Sequence, residues 1–161
     1  MVAKAHSPGS LWLAYLAKGG SMRELRGLDK SQLEAMYKVA HGRFSSALYE
    51  DALLIFRHLC LLDHSNYSYF LGLGATQSEM HLYAQAAATF AHAEKLDIDD
   101  PRASLAMGGC FIELKRMSLA RQALNNAIKR AERSQNSSVP RWEQELKKAQ
   151  QLMKYASAGR I

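Results

Sequence analysis

The sequence predicts an all-α solenoid of stacked helical hairpins, with short helices before the hairpins and a capping helix after them. Small residues recur at a fixed spacing. Ala86 follows Ala52 by 34 residues, and Ala120 follows Ala86 by the same number. The chain of 161 residues contains only 3 prolines, and 48% of its residues are hydrophobic. This length and composition are typical of one folded helical domain with a sizeable core.

Four further sets of positions keep the same register of 34 residues. They are Ala40, Gly74 and Gly108; Phe56, Phe90 and Leu124; Tyr49, Tyr83 and Met117; and Val39, Leu73 and Met107. A period of 34 is the length of the tetratricopeptide repeat, a helix–turn–helix unit that must stack on its neighbours to bury its apolar face. We therefore predict an α-solenoid of three tetratricopeptide repeats, at residues 33–66, 67–100 and 101–134. The small residues are expected at close helix contacts, and the large ones between repeats.

The segment before the repeats divides into two parts. Residues 1–10 are small and polar, and we expect a disordered arm. Residues 11–32 are predicted to form N-terminal helices, since Trp12, Tyr15 and Leu16 follow the i, i+3, i+4 spacing of one helix face.

Capping residues mark where the helices begin. Ser21 followed by Glu24 is typical of a capping box, and Asp29 suits the N-cap of the helix that enters the first repeat. Pro101 suits the first turn of a helix, with Asp100 as its cap. The predicted helix pairs of the three repeats span 31–45 and 49–62, 67–80 and 83–96, and 101–114 and 117–133.

A last amphipathic helix is predicted at residues 139–158. One side of it is apolar, with Trp142, Leu146, Ala149, Leu152 and Met153. The other side is polar, which suits a capping helix at the open end of a solenoid.

The charge of the chain is uneven. Residues 1–100 carry 9 Lys or Arg against 11 Asp or Glu, whereas residues 101–161 carry 12 against 4. Such a basic half can meet nucleic acid, an acidic partner or an anionic membrane surface. No arginine-rich motif or basic stripe with interleaved aromatics is present, so we favour a solvated helical face and expect no nucleic-acid partner.

Several observations indicate a soluble protein of a reducing compartment. No apolar run reaches the length of about 20 residues that spans a bilayer, so no stable membrane insertion is expected. The run Leu11–Ala17 is apolar but lacks a small-x-small cleavage pattern, which argues against a signal peptide. Cys60 and Cys110 are too few for a disulfide framework.

The sequence offers no chemistry of an active site. The glycines of Gly72-x-Gly74 lack the third glycine and the lysine of a phosphate loop, and they are interpreted as packing residues. The 6 histidines form no metal-ligand spacing with either cysteine. No nucleophile–base arrangement is evident, so we expect no enzyme, no cofactor and no metal.

The first helix of each repeat should line a concave groove. Its exposed positions, the second, fifth, ninth and twelfth of each repeat, predict a peptide-binding groove. Repeat by repeat, these positions are Glu34, Tyr37, His41 and Phe44; Ser68, Leu71, Ala75 and Ser78; and Arg102, Leu105, Gly109 and Ile112. All of them except Glu34 are assigned to the groove. Apolar side chains between small residues suit an extended peptide that inserts aliphatic or proline side chains. The alternative is that some of these side chains belong to the core, because the register can slip by one residue.

The sequence also resembles a known family, the class II chaperones of bacterial type III secretion of the SycD/LcrH type, which serve pore-forming translocator proteins. The likeness covers about residues 11–134. The stretches that carry it are Leu16–Met22, Tyr49–Ala52, Phe56–His64, Tyr69–Ala75, Asp97–Arg102 and the small residues before Cys110. The family's usual glycine in the turn of the first repeat is Ala47 here, preceded by Ser46.

The resemblance implies a function and partners. Such proteins hold one or two translocators in a secretion-competent state in the bacterial cytoplasm, binding a short translocator segment in the groove, where Tyr37 and Phe44 match the aromatic positions. Many form homodimers through their N-terminal helices, which implies a dimerisation role for Trp12, Tyr15 and Leu16, and some also regulate gene expression.

An alternative function is that of a generic tetratricopeptide-repeat scaffold or assembly subunit, which binds the C-terminal tail of another protein. That function would require a carboxylate clamp of Lys, Arg and Asn on the groove. The predicted groove offers Arg102, with Lys38 and Arg43 adjacent, so we favour the chaperone.

Overall fold

Six helices pair into three hairpins in the order that the 34-residue period predicts. The computed structural model describes residues 20–135 and 142–158, together with Tyr15 and Lys18. The regular structure in these ranges is entirely helical. The helices are α1 (Met22–Leu25), α2 (Lys30–Ser45), α3 (Tyr49–Leu62), α4 (Tyr67–Glu79), α5 (Tyr83–Leu96), α6 (Arg102–Glu113), α7 (Met117–Gln135) and α8 (Glu143–Ala158). From α2 to α8 each helix packs against the next one in the chain, and α8 also reaches back to α6.

From α2 to α7 the helix starts lie within one residue of the predicted positions. Ser21 and Glu24 form the capping box of α1, and Asp29 forms a second one with Gln32 at the start of α2. Helix α6 begins at Arg102, one residue later than predicted. Asp100 still serves this end, because its carboxylate accepts the backbone N–H of Arg102 at 2.9 Å.

The turn inside each hairpin is the same in all three repeats. Ala47, His81 and Lys115 lie 34 residues apart and have φ angles of 56°, 59° and 57°, in the left-handed region. In each turn the next backbone N–H reaches back to a carbonyl five residues earlier, as in the bond of 2.9 Å from Leu48 to Arg43. This is the Schellman ending of a helix, which satisfies carbonyls left free at the helix end.

Glycines allow the helices to approach closely in the seams, the contact lines between packed helices. A Cβ added to Gly74 would lie 2.6 Å from the Phe90 ring, and one added to Gly108 would lie 2.7 Å from the Leu124 side chain. Phe90 and Leu124 are buried. The prediction of small residues at close helix contacts is therefore confirmed at these positions.

A polar network ties the second and third repeats together. The Arg130 guanidinium pairs with the Glu94 carboxylate at 2.8 Å and donates to the Ser104 hydroxyl at 2.6 Å. Ser104 in turn donates to Glu94 at 2.7 Å. The three groups come from α7, α5 and α6 and satisfy one another in a largely buried position, as buried polar groups require.

Helix α8 packs on the last repeat with the side that the sequence predicts. Leu146 and Ala149 are buried, and the Arg121 guanidinium donates to the carbonyl oxygen of Ala156 at 3.1 Å. These contacts hold α8 along α7.

Candidate peptide-binding groove

A trough with two adjacent chambers runs along the first helices of the repeats. The first chamber, about 200 Å³, lies between α2, α3 and α4, and the second, about 560 Å³, lies between α4, α6 and α8. Leu71, Ala75 and Arg102 line both chambers, so the two spaces lie next to each other.

The structure places most of the predicted groove residues on this trough. The first chamber takes Tyr37, His41, Phe44 and Ser68, the second takes Ser78, Leu105 and Gly109, and Leu71, Ala75 and Arg102 lie between them. The prediction for Ile112 is wrong, since Ile112 lines neither chamber and packs in the core cluster with Ala120 and Leu124. At the last turn of α6 this aliphatic side chain turns toward α7, where burial is favourable. Leu105 belongs to the same core cluster and is 7% exposed, but it also borders the second chamber.

Aromatic rings form a fixed wall of the first chamber. The half-buried Tyr37 ring meets Phe56 edge-on, with centroids 6.0 Å apart, and lies 5.7 Å from the Tyr69 ring. Phe44 stands edge-on against Tyr49 at 5.7 Å. Edge-on ring pairs of this kind are favourable beyond their buried area. The wall is therefore preorganised to receive apolar side chains.

Arg102 stands at the border of the two chambers with its charge already matched. Its Nε donates to Asp100 Oδ1 at 3.1 Å and its Nη2 to Oδ2 at 2.6 Å, and Asp100 is 4% exposed. Its guanidinium also lies 5.7 Å from the Tyr67 ring and 5.4 Å from the Trp142 ring, within cation–π range. The hydrogen bonds to Asp100 raise the pKa of Arg102, so the group stays charged.

The carboxylate-clamp alternative finds little support in this geometry. Arg102 is committed to Asp100, Lys38 lies 3.9 Å from Glu34, and Arg43 lies 3.6 Å from Asp51. Lys38 and Arg43 line neither chamber. A clamp would need several free cations converging on one carboxylate.

Sequence reasoning missed the part that α8 plays in the trough. Gln144, Glu145, Lys148 and Leu152 line the second chamber. The sequence did contain a signal, because positions 144, 148 and 152 follow the i, i+4, i+8 spacing of one helix face, at the boundary between its polar and apolar sides.

Both thiols are neutral and buried. Burial raises the pKa of Cys60 to about 12 and also raises the pKa of Cys110, which borders the second chamber. A neutral buried thiol is a poor nucleophile and metal ligand. Within residues 20–135 and 142–158, no group of three or more His, Cys, Asp or Glu side chains could hold a metal ion.

The residues expected at a dimer contact are only partly described. Trp12 and Leu16 lie outside the described residues. Tyr15 is 37% exposed, its hydroxyl donates to the Glu24 carboxylate, and its ring lies over Gly20. In the described part of the chain, no helix has the length and apolar character needed to cross a membrane.

The fold and the apolar trough are those of a tetratricopeptide-repeat domain of the protein-binding class. No protein-family model matches the chain. It is 32% identical over 111 residues to the low calcium response locus protein H of Yersinia pestis, a match that covers 69% of this chain and 66% of that relative, just under two thirds of its length.

Two solved structures agree with this relationship. The chain is 28% identical to PcrH in complex with the chaperone binding region of PopD, with a TM-score of 0.78 over 84% of this chain and 98% of PcrH. It is 25% identical to SycD of Yersinia enterocolitica, a type III secretion translocator chaperone solved as an alternative dimer, with a TM-score of 0.74 over 81% of this chain and 95% of SycD. In sequence and fold the chain is therefore similar to type III secretion translocator chaperones.

Proposed function

We propose that the protein is a non-enzymatic chaperone of the bacterial cytoplasm that keeps type III secretion translocators soluble by holding an extended translocator segment in the trough. The observation that carries the proposal is the preformed aromatic wall of the first chamber, built by Tyr37 and Phe44 at the predicted positions. The PopD complex of its relative PcrH supports the same use of the fold.

The mechanism follows from burial. A translocator segment that seeks a membrane exposes apolar surface, and covering it in the trough is worth about 25 cal/mol per Å² of apolar area. Ordering a flexible segment opposes this gain by about 2 to 5 kcal/mol or more. The balance favours a moderate affinity, so that the client is held without nucleotide and can be released to the secretion machinery.

Co-expression with a translocator encoded beside the gene tests the proposal. We expect the translocator to stay soluble and to co-purify with the wild-type chain, and to be lost with Phe44→Glu and Tyr37→Glu, because a carboxylate in an apolar wall carries an uncompensated desolvation cost. Phe44→Glu is the cleaner variant, since Tyr37 also packs against the buried Phe56 ring.

The matched control is Tyr155→Glu. Tyr155 is 57% exposed on α8 and lines neither chamber. Circular dichroism should show the same helical content for all variants. A translocator that remains insoluble with the wild-type chain, or co-purification that survives both groove changes, would contradict the proposal. Capture of a protein that is not a translocator would favour the generic scaffold instead.

We also propose that the protein forms a homodimer, as SycD does. We place the contact in residues 11–28, with Trp12, Tyr15 and Leu16, because these residues follow the spacing of one helix face. Light scattering should give the mass of a dimer for the wild-type chain and of a monomer for Trp12→Glu with Leu16→Glu. An unchanged mass would exclude this contact.

A further inference from the structure

Helix α8 is joined to the repeats by smaller side chains than those that hold the repeats together. Within the repeats, the buried rings of Phe56 and Phe90 press against glycines. On α8, the fully buried side chains are Ala149 and Ala156, which lie in one cluster with Ala120 of α7. Alanine buries little apolar area, and hydrophobic stabilisation scales with that area. We therefore expect α8 to open at a lower free energy than the repeats.

Arg102 ties the first end of α8 to two other parts of the fold. Its guanidinium lies 5.4 Å from the Trp142 ring, which directly precedes α8, and 5.7 Å from the Tyr67 ring at the start of α4. The two hydrogen bonds from its Nε and Nη2 to Asp100 fix the plane of the guanidinium in this position. One side chain thus connects α8, α4 and the loop before α6.

The guanidinium can leave this position without the unfolding of any helix. The Arg102 side chain is 43% exposed, whereas that of Asp100 is 5% exposed. Arg102 borders both chambers, so it can turn into the open trough and become hydrated there. A long arginine side chain is able to do this because its charged end stays in water while its stem remains on the protein.

The Tyr67 hydroxyl offers Asp100 a second partner. This hydroxyl is buried and makes no hydrogen bond with any residue that the structure describes. Burial, and then the nearby charge of Asp100, raise the pKa of Tyr67, so the hydroxyl stays protonated and can donate. With Arg102 turned away, this hydroxyl and the backbone N–H of Arg102, which already donates at 2.9 Å, satisfy the carboxylate. Two satisfied arrangements of one cluster make it a bistable element.

We propose that α8 is a lid on the second chamber and that Arg102 is the latch that sets how often this lid opens. While the guanidinium rests on the Tyr67 and Trp142 rings, α8 stays docked, and Gln144 and Lys148 close one side of the chamber. When the guanidinium turns away, α8 undocks as a unit and the three repeats stay folded. The proposal concerns the chain without a client and does not depend on the proposed chaperone function.

Hydrogen exchange of the full chain, measured without a client, tests the latch. Arg102→Gln removes the charge and both ring contacts, so the backbone amides of α8 should exchange at least tenfold faster while those of α3 and α5 are unchanged. Arg102→Lys keeps the charge but not the planar group that stacks on the rings, and it should give an intermediate rate. Arg116→Gln is the matched control, because Arg116 is exposed and lines neither chamber.

Tryptophan emission reports the same opening. The Trp142 ring is 9% exposed in the docked state, so its emission should shift to longer wavelength in Arg102→Gln. The chain has 2 tryptophans, and the shift should be absent when Trp142→Phe is also present.

Tyr67→Phe separates the latch from a merely structural contact. The variant keeps the ring on which Arg102 rests but removes the hydroxyl that would serve Asp100 in the open state. We therefore expect α8 to exchange about threefold more slowly in Tyr67→Phe, the opposite of what the loss of a stabilising contact produces. In the Arg102→Gln background the same change should not slow exchange, because the latch is already absent.

The contradicting results are specific. Unchanged exchange of α8 in Arg102→Gln, or equal acceleration of α3 and α8, would exclude Arg102 as the latch. Unchanged or faster exchange of α8 in Tyr67→Phe would overturn the change of partner at Asp100, and this variant decides the matter even where Arg102→Gln does not fold. None of these results bears on the chaperone function, which co-expression tests separately.

Discussion

Gly108 and Gly109 are neighbours on α6 but have different surroundings. A Cβ on Gly108 would lie 2.7 Å from the Leu124 side chain, whereas a Cβ on Gly109 would meet no heavy atom within 4 Å. Gly108 faces the seam between α6 and α7, and Gly109 faces the trough. The helix contact at Gly108 is therefore closely packed, whereas the trough at Gly109 contains space that no side chain fills.

The same contrast extends along the chain. A Cβ on Gly74, which lines neither chamber, would come within 2.6 Å of the Phe90 ring, which is 2% exposed. Close-packed interiors transmit such clashes, because neighbouring groups cannot move without opening voids elsewhere. Residues on the trough can therefore change with the client, whereas seam residues are constrained by the stacking of the repeats.

The largest expected effect is a difference in stability between two single variants, Gly108→Leu and Gly109→Leu. Gly108→Leu should destabilise the fold by about 3 kcal/mol, because overpacking of a seam costs about 1 to 3 kcal/mol and leucine is much larger than the space available. Gly109→Leu should be neutral or slightly stabilising. Urea unfolding followed by circular dichroism measures both.

Equal unfolding midpoints for the two variants would refute the contrast between seam and trough. Gly42→Leu, on the exposed side of α2, serves as the common reference for the change in helix propensity.

The repeat architecture could be predicted from the sequence because seam residues recur. The second helices of the first two repeats, Tyr49–Leu62 and Tyr83–Leu96, begin and end at the predicted residues. The capping box at Ser21 and the N-cap at Asp29 could also be predicted, since helix caps depend on residues a few positions apart. Local rules of this kind do not require knowledge of the tertiary structure.

The trough was predicted only in part, because it depends on contacts between distant segments. The expected position of Ile112 assumed that the twelfth residue of every repeat is equivalent. Phe44 and Ser78 at that position do line the trough, but Ile112 packs into the core with Ala120 and Leu124. The wall formed by α8 was missed, because the spacing of positions 144, 148 and 152 indicates a shared helix face but does not show how that helix lies across α6.

The smallest expected effect concerns a position outside both regions. Ala47 lies in the first turn with a φ of 56°, and it is exposed and lines neither chamber. The left-handed conformation costs a non-glycine residue about 1 to 2 kcal/mol, and glycine avoids this cost while gaining about 0.4 to 1 kcal/mol of disorder in the unfolded chain. Ala47→Gly should therefore raise stability by about 0.5 kcal/mol, or about 1 to 2 °C in Tm.

His81, at the same position of the second repeat, is less suitable because its ring nitrogen hydrogen-bonds the Tyr83 hydroxyl at 2.7 Å. Differential scanning calorimetry should show the increase for Ala47→Gly, and the amount of translocator that co-purifies with the chain should stay constant. Because the turn belongs to neither seam nor trough, stability should change there without any change in binding. A lower Tm would show that the strain at Ala47 is smaller than the entropy that glycine adds, and a changed amount of co-purified translocator would show that the turn contacts the client.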